Sequence, residues 1–185
     1  MPKHNRPGFF IHRSGLFTTI QDLGRYGYQR YGVSVSGAMD RTALRIGNRL
    51  AGNPDGAAGI EVTLQGSELE LTGDAIIAIT GADLSPTVNG RAIPMWSSVP
   101  VRGGDRLQFG ARRQGCRAYV CVSGGIDVPL AFGSRSTDIR AGIGGLEGRR
   151  LAKGDCLMFG TPACEAIRPW GRPFPLSARP LYLAN

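Results

Sequence analysis

Residues 60–80 read IEVTLQGSELELTGDAIIAIT, three short extended runs separated by small polar breaks. Residues 60–64 and 68–71 alternate apolar and polar side chains, so each run buries one face of a sheet. Residues 75–80 (AIIAIT) are apolar almost throughout, the pattern of a strand that lies deep in the core. This succession sets the class: a mainly β protein.

The same signals recur on the C-terminal side. In residues 87–91 (TVNGR) an Asn-Gly pair stands between extended residues, a strong hairpin signal because a type I′ turn needs positive φ at both central positions. Gly103-Gly104-Asp105 marks a second turn between runs at 99–102 and 106–109, and RAYVCV at 117–122 and CLMF at 156–159 read as further strands. One segment departs from this. Across residues 39–50 the apolar Ala43, Ile46 and Leu50 recur at helical spacing, predicting the single principal amphipathic helix. Ser36 or Asp40 caps its start, Gly52 suits a left-handed stop, and Asn53-Pro54 blocks continuation. Gly47 inside it costs about 1 kcal/mol against alanine, which points to close packing against a strand. Beyond residue 161 prolines stand at 162, 169, 173, 175 and 180, giving a proline-rich tail over 162–185.

Composition limits the function classes. Of 185 residues, 22 are Lys or Arg and 14 Asp or Glu, a net charge of +8, yet only Arg112-Arg113 and Arg149-Arg150 are adjacent basic pairs. Such dispersed arginine suits small anions better than a nucleic acid, whose binding arms carry basic runs. No stretch is long enough to be a signal-peptide core or a membrane span, so a cytoplasmic protein is expected. Cys116, Cys121, Cys156 and Cys164 lack metal-ligand spacing and read as buried free thiols, with no metal site. Histidine occurs only at positions 4 and 12, which disfavours a Ser-His-Asp hydrolase, and His12 is expected at the surface. Neither a G-x-x-x-x-G-K-[ST] loop nor a strand-to-helix G-x-G-x-x-G is present. Any ATP chemistry must therefore use another geometry or a partner's site.

The segment richest in chemistry is GSRSTDIRAGIGGLEGRR, residues 133–150. Its arginines offer planar donor forks for carboxylate or phosphate, and its glycines let backbone N–H groups approach a ligand. Arg135, Ser136, Thr137 and Arg140 form the predicted substrate-binding set, with Asp138 able to orient either arginine. Two other polar, glycine-bearing stretches stand at 21–29 (QDLGRYGYQ) and 32–40 (GVSVSGAMD). The second runs into the helix, whose unpaired N–H groups favour anions, so Ser36 and Asp40 join the set either as ligands or as caps alone.

The stretches SGLFTTIQDLGRYGYQRYGVSVSGAMD, ALRIGNRLAGNPDGAAGIEVTL, AITGADLSPTVNG and VSGGIDVPLAFGSRSTDIRAGIGGLEGR together resemble the family of the C-type subunit of 5-oxoprolinase. That family is also described as the biotin-dependent carboxyltransferase or allophanate hydrolase subunit 2 domain, and the likeness runs from about residue 11 to residue 160. It implies a cyclophilin-like β-barrel over 11–161, preceded by an N-terminal extension at 1–10. It also implies that members continue into a second β-rich half, so that the chain stands for the N-terminal part of the family domain, truncated at its C-terminus.

The function implied is that of one subunit in an ATP-dependent 5-oxoprolinase, a hydrolase opening the cyclic amide of 5-oxoproline to L-glutamate. ATP would act at the level of the complex. The implied partners are the B-type subunit of the same enzyme, a lactam-utilisation-type subunit and a small anionic substrate, with neither nucleic acid nor membrane. One alternative is the carboxyltransferase component of a urea carboxylase, where biotin would arrive on another chain, since no Met-Lys-Met-like biotinylation site is present. The other is a non-catalytic module that regulates a partner.

Overall fold

The computed structural model describes residues 6–162; the proline-rich tail after Pro162, with Cys164, lies outside the described residues. Eleven strands run in chain order: β1 (Gly8–Arg13), β2 (Phe17–Gln21), β3 (Gly59–Thr63), β4 (Glu68–Leu71), β5 (Ala75–Asp83), β6 (Pro86–Val88), β7 (Arg91–Ala92), β8 (Ser98–Val101), β9 (Arg106–Phe109), β10 (Gln114–Val122) and β11 (Cys156–Met158). One α-helix, α1 (Arg41–Leu50), and a 3₁₀ turn at Gln29–Tyr31 interrupt them. The strands form a six-stranded sheet, β11-β1-β4-β9-β6-β7, and a five-stranded sheet, β2-β3-β10-β5-β8. Every pairing is antiparallel. The mainly β, cyclophilin-like class holds, with two apposed sheets in place of one closed hydrogen-bonded ring.

The alternation read from the sequence explains how the sheets pack. Phe9, Ile11, Leu69, Leu71 and Leu107 of the first sheet meet Ile60, Val62, Ile77, Ile79 and Val120 of the second in one buried core. Strand β5 is apolar on both faces because both are covered. Ile77 and Ile79 face the core, while Ala78 packs with Tyr119 and Cys121 against Ala43 and Leu44 of α1. Gly47 is the point of closest approach: a Cβ there would stand 2.7 Å from Cys121 Sγ and 2.9 Å from Thr80 Oγ1. The residue that weakens the helix locally therefore lets it dock on the sheet.

Asp40 is the cap, its Oδ1 accepting the Ala43 N–H at 2.9 Å. Gly52 adopts positive φ (78°) one residue beyond the C-cap Ala51, and Asn89 and Gly90 take the two positive φ values, 51° and 75°, of the expected hairpin turn between β6 and β7. The buried helical face differs from the apolar stripe, comprising Ala43, Leu44, Gly47 and Asn48 with Ile46 and Leu50 at its margins. Asn48 is concealed from a hydrophobic pattern because its amide is satisfied internally, donating to Ala57 O at 2.8 Å and Asp55 O at 3.2 Å.

The structure also adds to the sequence-based layout. Strand β1 begins at Gly8, so residues 8–10 of the expected extension are paired with β4 and β11. Strand β2 escaped notice because it is largely polar yet buried. Its Thr18 Oγ1 reaches Ser14 O at 2.5 Å and Ser67 Oγ at 2.8 Å. His12 is half-buried rather than at the surface, because its Nε2 pairs with Glu70 Oε2 at 2.6 Å. Of the thiols expected inside, Cys121 is fully buried, whereas Cys156 is half-buried and Cys116 exposed. Cys116 stands where the register between β10 and β5 shifts and the strand leaves the core.

Candidate functional site

Strand β2 ends at Gln21, and the next residue organises the neighbourhood. Asp22 is buried and its carboxylate accepts four hydrogen bonds: Oδ1 from Ser134 Oγ (2.6 Å), Ser136 Oγ (2.5 Å) and Gly24 N (2.7 Å), and Oδ2 from Arg135 N (2.6 Å). A buried carboxylate is tolerated when its lone pairs are filled in this way. Asp22 thus ties the start of the 133–150 segment to the end of β2. Arg25 strengthens the tie. The residue is only 1% exposed, and its guanidinium donates to Ser136 O and to Ala131 O.

A second connection brings in the loop before α1. Arg25 N donates to Val35 O at 2.8 Å and Ala38 N to Asp22 O at 2.9 Å, so residues 22–25 and 35–38 lie side by side. Contact is close enough that a Cβ on Gly37 would fall 2.9 Å from Gly24 N. Ser36 is held at φ 53°, a left-handed conformation costing a non-glycine residue roughly 1 kcal/mol.

These segments enclose a cavity of about 240 Å³, lined among others by Phe17, Gln21, Ser36, Thr137, Ile139 and Arg140. Three of the predicted residues therefore meet: Ser36, Thr137 and Arg140. The guanidinium of Arg140 has no hydrogen bond or ion pair among the described residues and is exposed at the rim. Asp138 lies beneath it, its Oδ1 accepting Arg140 N and Ala141 N at 3.1 Å each and its Oδ2 accepting the Ser34 hydroxyl. The Ser34 hydrogen bond leads in holding the Asp138 carboxyl below its ordinary value, against its burial, with Arg25 adding to it.

The other predicted residues lie elsewhere. Ser136 is fully buried and engaged with Asp22. Asp40 is committed to the helix cap. Arg135 points away from Arg140: its Nε donates to Val128 O at 2.9 Å and its Nη2 approaches Asp127 Oδ1 at 3.5 Å. There it lines a second cavity of about 310 Å³ together with Arg6, which also pairs with Asp127 at 3.0 Å. The helix N-terminus is closed to an anion at two of its donors, Asp40 N bonding Tyr119 Oη at 2.7 Å and Ala43 N bonding Asp40 Oδ1 at 2.9 Å.

Gln21, Asp22, Arg25 and Ser34 had no assigned role in the sequence, although all fall in the two polar glycine-bearing stretches. Only the pairing of those stretches with residues more than a hundred positions away gives them one.

The family described as "Carboxyltransferase domain, subdomain A and B" matches residues 31–180. The chain belongs to this carboxyltransferase family. Within it, the chain is 42% identical over 161 residues to the C-type subunit of 5-oxoprolinase from Escherichia coli (strain K12), covering 87% of this chain and 52% of that protein. It is 44% identical over 139 residues to the same subunit of Haemophilus influenzae, covering 75% and 45%. The chain thus spans about half the length of these two relatives. Among solved structures, the Kluyveromyces lactis urea carboxylase superposes with a TM-score of 0.89 at 36% identity, covering 100% of this chain and 17% of that one. Family members therefore include parts of larger enzymes, consistent with a carboxyltransferase-like subunit. No helix among the described residues is long and apolar enough to cross a membrane.

Proposed function

We propose that this carboxyltransferase-family chain works in the cytoplasm as the C-type component of an ATP-dependent 5-oxoprolinase, with Arg140 holding the substrate carboxylate at the cavity it shares with Ser36 and Thr137. The observation that carries this reading is Arg140 itself, a cation without a counter-charge among the described residues, at the mouth of a small cavity of mixed polar and apolar lining. A guanidinium in that state binds carboxylate readily. At about 240 Å³ the cavity is smaller than the roughly 300–1,000 Å³ of drug-sized sites, so it suits a compact substrate better than a nucleotide. ATP would be bound by the B-type or lactam-utilisation-type partner.

Carboxyl transfer in the manner of a urea carboxylase is the second reading, favoured by the superposition on the Kluyveromyces lactis enzyme. In that case Arg140 would steady the migrating carboxylate, and biotin would be delivered by another chain. The test is co-expression with 5-oxoprolinase partner subunits, following glutamate formed from 5-oxoproline and ATP. ATP-dependent turnover that falls at least about tenfold in kcat/KM with Arg140→Ala is expected. Turnover indifferent to that substitution removes Arg140 from the site. A complex without turnover favours the regulatory module, and biotin-dependent carboxyl transfer the second reading.

A further inference from the structure

The second cavity, of about 310 Å³, takes no part in the function proposed above. Its polar wall is built by two arginines that stand far apart in the chain and meet at one carboxylate. Arg6 Nη2 donates to Asp127 Oδ2 at 3.0 Å, and Arg135 Nη2 approaches Asp127 Oδ1 at 3.5 Å. Asp127 is the only acid lining the cavity, so one positive charge of the pair is uncompensated.

A guanidinium carries five N–H donors in a fixed fork. Arg6 spends Nη2 on Asp127 and, at 2.7 Å, on Phe159 O, which leaves its Nε and Nη1 without a partner among the described residues. Arg135 spends Nε on Val128 O at 2.9 Å and Nη2 on Asp127, which leaves Nη1. The spacing of the two forks accommodates a carboxylate, because the Asp127 carboxylate is already seated there. It is held loosely. The Asp127 side chain is 38% exposed, and ion pairs open to water contribute little.

The opposite wall is apolar. Ala57, Ala58 and Ile126 line it, and Gly125 keeps it open, since a Cβ there would stand 3.1 Å from Ala57 Cβ. Charge sets the class of ligand. One uncompensated positive charge is matched by a monoanion, whereas a phosphate dianion would leave excess negative charge beside Asp127.

We infer that this cavity binds a small monocarboxylic acid, whose carboxylate displaces Asp127 from the forks of Arg6 and Arg135 while its short carbon chain lies against Ala57, Ala58 and Ile126. Asp127 is then an internal competitor for the site. The inference is independent of the reaction assigned to the Arg140 cavity.

The experiment is an NMR titration of the full chain at constant ionic strength with butyrate, read at the side-chain Nε–H groups of Arg6 and Arg135 and at the backbone amide of Gly125. Butyrate should give saturable shifts at these positions, its uncharged analogue butyramide none, and inorganic phosphate should bind more weakly than butyrate. Arg6→Ala, at an exposed side chain, and Arg135→Lys, which keeps the charge but loses the fork, should each weaken butyrate at least about fivefold. Asp127→Asn should tighten it at least about threefold by removing the competitor. If the two arginines only clasp Asp127 to hold the chain in place, Asp127→Asn leaves the butyrate response unmoved. That result, tighter binding of phosphate, equal shifts with butyramide, or no saturable shift below roughly 100 mM overturns the inference. Should Arg135→Lys disturb the fold, Arg6→Ala and Asp127→Asn decide. The shifts should persist in Arg140→Ala; their loss there would assign them to the other cavity and overturn this site, while turnover that depends on Arg140 tests the proposed function alone.

Discussion

The Asp22 carboxylate accepts the Ser136 hydroxyl at 2.5 Å, a bond between residues 114 positions apart in the chain. The same carboxylate holds Ser134, Arg135 N and Gly24 N, so one side chain sets the path of the loop that carries Thr137 and Arg140.

Replacing Asp22 with alanine strands those donors in a buried setting, and about 3–5 kcal/mol of stability should be lost. Asp22→Asn keeps one acceptor oxygen and should lose less. Urea unfolding measures both, and limited proteolysis should show new cleavage between residues 133 and 150. A loss below about 1 kcal/mol in Asp22→Ala would show that the loop is held by other contacts.

Gly145 and Gly142 provide a paired test of the same loop. Both have positive φ, 54° and 65°, but a Cβ on Gly145 would lie 2.0 Å from Thr137 Oγ1 whereas one on Gly142 would meet nothing within 4 Å. Gly142→Ala should therefore cost only the backbone strain of roughly 1 kcal/mol. Gly145→Ala should cost more and, by displacing Thr137 from the cavity wall, weaken ligand binding. Equal effects on stability and binding would refute the steric assignment.

At Gly47, helix propensity and packing oppose each other. Alanine there gains about 1 kcal/mol in propensity, but its Cβ meets Cys121 Sγ inside a fully buried contact. Overpacking should win, with a net loss of about 1–2 kcal/mol by thermal or urea unfolding. Adding Cys121→Ala removes the sulfur and should make Gly47→Ala less costly than in the wild-type background. Additive effects in the double mutant would mean the two positions do not touch.

Asp138 should leave a signature in acid. Its folded-state carboxyl lies below the ordinary value of 3.8, chiefly because Ser34 donates to it, so its contribution is fully present above that value and fades as pH falls through the lower folded one. Asp138→Asn should therefore be less stable than wild type at neutral pH, with the gap closing below about pH 4. Urea midpoints measured from pH 7 down to about pH 2.5 decide this. A gap that is constant across the range would show that Asp138 stabilises the chain by shape and not by charge.

What the sequence by itself determined is local. Strands β3, β4, β5 and β9, the Asn89-Gly90 turn and the Asp40 cap follow from periodicity, positive-φ demand and capping chemistry, all within a few residues. The family resemblance is local in the same sense, carried by contiguous glycine- and arginine-bearing stretches of the chain. Strand β2 and Asn48 were hidden because their polar groups are paired internally, which no hydropathy pattern records.

Only the tertiary structure decided which of six plausible ligands share a cavity. Arg135 and Arg140 stand five positions apart and look equivalent in sequence, yet the guanidinium of one turns to Asp127 and Val128 while that of the other has no hydrogen bond or ion pair among the described residues. The Ser34 hydroxyl likewise donates to the Asp138 carboxylate 104 positions away, and a hydrogen bond of that kind depends on where the chain folds back, not on the residues beside it.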